Sequence, residues 1–135
     1  MPSKRILRDS VVLYNYIGEV DDEATYEESV ISHCYCIVTE GAALNDQGRK
    51  GQDSAQLFIF DKGTVVTSTD GQTKSYLPCK EWEALLDKSG FWTLHDNGRD
   101  YFIKSDKGGR KFKVTDFSHK KAGSKRMWHF EVNAK

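Results

Sequence analysis

The sequence predicts a small, mainly antiparallel β-barrel or sandwich of seven to eight strands. Three observations lead there. β-Branched and aromatic residues gather in short runs separated by turn dipeptides. Only one stretch has helical periodicity. A chain of 135 residues with 38% apolar content carries enough material for one core, so a single domain is expected over 1–135.

The elements follow in order. Residues 1–9 are basic but have no apolar h-region, so they read as a flexible arm and not as a secretory signal. Residues 11–17 (VVLYNYI) form a first strand, and 18–28 an acidic connection. Residues 30–38 form a second strand, in which Cys34 and Cys36 share a face and fit as small buried groups. The stretch 39–54 contains Gly41, Gly48 and Gly51 and one large aliphatic residue, Leu44. It has too little apolar surface to offset its ordering entropy, and loops this long usually serve a function or stay disordered. Residues 55–60 make a third strand, and 64–76 a weaker β stretch folded about Asp70-Gly71.

Between Pro78 and Gly90 the period changes: Trp82, Leu85 and Leu86 fall at i, i+3, i+4, predicting one amphipathic helix over about residues 79–88. A hairpin is expected next, from 92–95 and 99–103 about Asn97-Gly98, then a turn at 106–109. Residues 111–117 alternate, placing Phe112, Val114 and Asp116 on one side. A basic turn over 119–126 leads into a last strand, 127–132, with Trp128, Phe130 and Val132 on a common face.

Composition narrows the function. The 20 basic and 20 acidic side chains cancel, unlike the balance of a dedicated nucleic-acid binder. No apolar run approaches the roughly 18 residues of a membrane span. The neutrality hides an asymmetry: residues 1–30 carry 3 basic and 7 acidic groups, and residues 104–135 carry 10 and 3. An acidic front and a basic tail can pair within the fold or head-to-tail between copies of one subunit, or simply form a solvated face. The asymmetry suits a protein that packs against copies of itself.

Catalytic signatures are missing. There is no phosphate-binding Gly-rich loop, no dinucleotide fingerprint, no zinc-protease pair and no nucleophile elbow. Glu81 and Glu83 stand two apart on a helix and diverge. Asp96 and Asp100 read as solvated turn carboxylates, and His95 and His129 as outward strand positions without a nucleophile beside them. His33, Cys34 and Cys36 lack zinc spacing, and three cysteines make no disulfide framework. No catalytic residue, cofactor or metal is therefore expected. The best candidate for touching phosphates is a basic interface of Lys113, Lys120, Lys121, Lys125 and Arg126.

Two stretches carry a resemblance. Residues 76–85 (YLPCKEWEAL) with 90–94 (GFWTL), and the ending 123–132 (GSKRMWHFEV), resemble a pattern in small phage and prophage structural proteins of Gram-positive bacteria. There a Pro-led helix with a Lys-x-Trp core precedes a Gly-aromatic-Trp-Thr-Leu strand, and the chain closes on Gly-Ser-x-x-Met-x-His-Trp-Glu-Val. Residues 12–15 match its opening strand. This chain departs at Phe130, Asn133, Ala134 and Asp106.

The resemblance implies a minor capsid or head–tail connector protein, similar to head-completion (stopper) subunits that form a ring beneath portal and adaptor and help retain packaged DNA. Partners would be copies of the chain in a cyclic ring, the portal or adaptor, the tail terminator and, non-specifically, double-stranded DNA. Its place would be the virion neck, after synthesis in the host bacterial cytoplasm. The 39–54 loop would then be a channel loop, with Gly41, Asn45, Asp46, Arg49, Lys50 and Asp53 as its candidate residues. Deleting residues 42–52 should leave the barrel folded, because loop-closure entropy changes slowly with length. The alternatives are a tail terminator or other minor capsid protein and, from a different class, a single-stranded nucleic-acid-binding barrel with exposed Trp128 or Tyr101 as a stacking platform.

Overall fold

A computed structural model of the chain describes residues 8–39, 53–104 and 109–135. The chain order is β1 (Asp9–Val20), β2 (Glu23–Thr39), β3 (Ser54–Phe60), β4 (Val65–Thr67), β5 (Ser75–Tyr76), α1 (Cys79–Glu83), β6 (Phe91–Trp92), β7 (Tyr101–Lys104), β8 (Lys111–Lys120) and β9 (His129–Ala134). Strand β1 pairs with β2 and β7, β7 with β8, β8 with β9, β9 with β3, and β3 with β2. All these pairings are antiparallel, and they close on themselves into a six-stranded barrel. Strand β4 lies along β2 next to the β3 pairing. The expected all-β architecture is therefore present, with nine strands among the described residues.

Period-two alternation builds the interior. Val11 and Leu13 of β1, Leu57 and Ile59 of β3, Phe112 and Val114 of β8, and Phe130 and Val132 of β9 all point inward and are buried. Phe102 and Phe112 stack with ring centroids 5.5 Å apart. Burial of each such side chain is worth about 1.5–3 kcal/mol. Strand β2 changes its parity once. Ser29 and Ile31 face inward, then His33 takes φ 59°, and Cys34 and Cys36 face inward after it. The register of β1 against β2 shifts at the same place, between Asp9/Cys34 and Ser10/Ser32. This is a β-bulge, and it hands β2 from its pairing with β4 to its pairing with β3.

Several sequence expectations are corrected. The acidic connection 18–28 is itself strand: β1 and β2 continue to a two-residue turn, Asp21-Asp22, with φ 53° and 65°. Aspartate tolerates that left-handed conformation, and a turn with both central residues at positive φ matches strand twist. Asp9, assigned to the arm, opens β1 and accepts the Cys36 N–H through Oδ2 at 2.8 Å.

The helix spans five residues and not ten. Leu85 is only part-buried and Leu86 is fully exposed at 107%. Past it, Asp87 accepts both the backbone and hydroxyl hydrogens of Ser89, a local alternative to continuing the helix. The expected 92–103 hairpin does not form a ladder. β6 pairs in parallel with β5 instead, and the 93–100 segment is held by side chains. On β8 a bulge between Val114 and Asp116 turns Asp116 outward and leaves Phe117 against the core. The last strand begins at His129, after a 3₁₀ turn Lys125–Met127, so Met127 is exposed and Trp128 only part-buried.

Candidate functional site

Most of the expected channel loop, including Gly41, Asn45, Asp46, Arg49 and Lys50, lies outside the described residues. Asp53 is described, and its carboxylate stands 3.7 Å from Arg110. The proposed basic interface divides in two. Lys113 sits opposite Tyr101 in the β7–β8 register, seven residues up the strand from Lys120, or roughly 23 Å at strand rise. The remaining members gather at the β8–β9 turn. Lys121 and Lys125 lie over the Trp128 ring at 5.6 and 5.9 Å, Lys120 is 3.8 Å from Glu131, and Arg126 is exposed. These contacts are made by the lysine ammonium groups, on side chains that stay at the surface.

The long β1–β2 hairpin is the other charged protrusion. β7 covers β1 only from Val11 to Tyr14, and β4 reaches β2 only from Val30 to Ser32. Beyond those partners the hairpin carries Glu19, Asp21, Asp22 and Glu23, with Ile17 and Val20 exposed at 46% and 61%. Its base is anchored by Lys74, a buried ammonium that donates to Glu27 Oε1 (2.9 Å), the Glu28 carbonyl (2.8 Å) and Ser29 Oγ (3.1 Å).

Four tyrosines line the outer face beside that base. Tyr14 stacks on Tyr101 at 4.5 Å, and Tyr26 meets Tyr14, Tyr16 and Tyr101 edge-on. Arg99 lies over Tyr16, and Lys111 and Lys113 over Tyr101. Burial, and next the Glu28 carboxylate, push the Tyr14 phenol up; burial also raises Tyr101. Desolvation, and next Lys111, pull the Lys113 ammonium down.

The feature that sequence reasoning missed is a buried polar network under α1. Asp100 is wholly buried, not solvated. Its Oδ2 accepts from Asn15 Nδ2 (2.9 Å) and the His95 N–H (2.8 Å), and its Oδ1 from the Tyr16 N–H (2.9 Å). His95 is 4% exposed, with Nδ1 2.9 Å from Asp100 Oδ1 and Nε2 3.0 Å from Glu83 Oε1. Asn15 completes the set by donating to the Thr93 carbonyl at 2.8 Å and accepting from the Thr93 N–H at 3.3 Å. Burial works against charge on the His95 ring, but hydrogen bonds and charge from Asp100, then Glu83, outweigh it and raise its pKa. The network joins β1, α1 and the 93–100 segment.

A cleft of about 400 Å³ opens elsewhere, between β3, β4 and β5–β6, floored by Tyr76, Trp92 and Phe130. His119 stacks on Phe130 at 4.1 Å beside it and bonds Asp61 at 2.8 Å. Cys34 and Cys36 are buried, and burial, then Cys36 and Asp9, push the Cys34 thiol up to about 12. Among the described residues no group of three potential ligands is placed to hold a metal ion.

The described residues form a closed β-barrel with two charged protrusions and a buried polar network. Over residues 6–135 the chain matches DUF6751, a family of unknown function, and it belongs to that family. No curated protein and no solved structure matches it.

Proposed function

We propose that the chain is a non-enzymatic structural subunit of a phage neck, of the head-completion or stopper type, acting by assembly into a ring. The observation that carries this reading is the pair of oppositely charged protrusions. The β1–β2 hairpin is acidic and the β8–β9 turn is basic, and they leave the barrel on strands separated by β7. Contacts between unlike patches are heterologous, and they close into rings when the rotation permits. The resemblance of residues 76–94 and 123–132 to phage structural proteins points the same way.

The test is genetic and structural. Disrupting the gene in the phage should give heads that package DNA but lose it and fail to join tails. Normal DNA-filled, tailed particles lacking the protein would overturn the reading. Filled heads beside tails of uncontrolled length would favour a tail terminator instead.

One observation favours a second reading. Tyr101, flanked by Lys111 and Lys113, is on the outer face, where a single-stranded nucleic-acid-binding barrel would place a stacking residue. That reading predicts salt-dependent binding of short oligonucleotides, weakened by Tyr101→Ala. A flat titration at low salt removes it.

A further inference from the structure

We infer that the acidic hairpin tip of one copy docks on the Trp128 corner of a second copy, an inference that deepens the assembly reading above and rests on it. The two surfaces match in three respects. The first is charge. The tip presents Glu19, Asp21, Asp22 and Glu23, and the corner presents Lys121, Lys125 and Arg126, all exposed. The second is apolar content. Val20 and Ile17 are exposed at 61% and 46% on the tip, and Met127 at 45% on the corner, next to the part-buried Trp128. Exposed β-branched residues flanked by acids on one surface, and a methionine and tryptophan flanked by lysines on the other, give each contact an apolar centre and a charged rim.

The third respect is rigidity. The Asp21-Asp22 turn fixes the tip, and Lys74 ties its base to the barrel through Glu27, Glu28 and Ser29. At the corner, Trp128 N–H donates to the Lys125 carbonyl at 3.3 Å and Met127 N–H to that of Ser124 at 2.9 Å. Two pre-ordered surfaces lose little conformational entropy on meeting. Among the described residues Glu19, Asp21, Asp22 and Glu23 form no ion pair, so the charge of the tip is left for a neighbour. A contact of tip to corner uses different surfaces of the same chain, so every copy has one of each to offer its neighbours.

Sedimentation of the whole protein tests this, with charge-reversed variants. The hairpin variant is Glu19→Lys with Asp22→Lys, and the corner variant is Lys121→Glu with Lys125→Glu. Wild-type protein should associate beyond the dimer at low salt, and each variant alone should weaken association by about tenfold or more. Mixing the two variants should restore it, because reversed tip then meets reversed corner. Oxidation of a Val20→Cys, Met127→Cys, Cys79→Ser protein should give a ladder of intermolecular disulfides. Association that survives both reversals would overturn this contact and leave the assembly reading standing. Monomer in every form, with no disulfide ladder even from purified phage necks, would overturn both.

Discussion

Replacing Asp100 by alanine should be among the most damaging single changes in the barrel. The carboxylate has no exposure and accepts from four donors: the Tyr16 and His95 N–H groups, Asn15 Nδ2 and His95 Nδ1. Alanine leaves those donors in a space closed to bulk water. Removing one partner of a buried charged pair costs about 3–5 kcal/mol. Each stranded backbone donor would add about 1–3 kcal/mol if nothing relaxed, so about 4 kcal/mol is the expected total after relaxation. Domain stabilities run about 5–15 kcal/mol, so the variant should fold but marginally. With a urea m-value of about 2 kcal/mol/M, the midpoint should drop by about 2 M. Equilibrium unfolding followed by tryptophan fluorescence measures it. Asn15→Ala and the double variant complete a cycle whose coupling should be at least about 1 kcal/mol. A midpoint shift under about 0.5 M, or additive effects, would show that the network is not one unit.

The other predictions concern separate parts of the chain. His95 has a folded pKa raised above its unfolded value, so its contribution is complete below about pH 6.5 and is lost as pH rises through the folded pKa. Wild-type stability should therefore fall on going from mildly acidic towards alkaline pH, and His95→Gln should flatten that part of a melting-temperature series. Native protein should offer one thiol, Cys79, to a disulfide reagent, and all three after unfolding, because Cys34 and Cys36 are buried. Gly18 sits at φ 132° beside the β1 bulge, so Gly18→Ala should cost about 1–3 kcal/mol by chemical denaturation although nothing crowds the added carbon. Leu86→Asp, at a fully exposed site, should change stability by less than about 0.5 kcal/mol in the same assay.

How much of this was legible depended on whether partners are neighbours in sequence. Alternation in 111–114 marked a core face directly, and the shared face of Cys34 and Cys36 needed only strand geometry. Long-range polar pairing was invisible: Asn15 is 85 residues from Asp100, and His95 reads as an outward position when treated alone. One signal did exist. Val11, Leu13 and Asn15 share a parity, so an asparagine stood where the pattern demanded an inward residue, and an inward amide requires partners. The helix was overextended because its apolar spacing at Leu85 and Leu86 is real, while the termination by Asp87 and Ser89 is a side-chain effect that periodicity does not report. The parallel β5–β6 pair escaped because Asn97-Gly98 is a good hairpin signal, and Gly98 does take φ 74°, but Asp100 turns inward to His95 and the flanking residues make no ladder.

The place of β9 in the barrel has a consequence for the newly made chain. It lies between β8 and β3, and Gln56 reaches Asn133 across 77 residues of sequence. Without β9, β3 and β8 each present a bare edge, and Leu57, Ile59, Val114 and Phe117 have no roof. The hairpin β1–β2 can form early because its strands adjoin, but the cylinder cannot close until residues 129–134 emerge. Closure of the barrel is therefore tied to the appearance of this one strand. A chain cut before His129 would be an open, sticky sheet and a substrate for chaperones or proteases, whereas a chain that includes Ala134 seals both edges in one step.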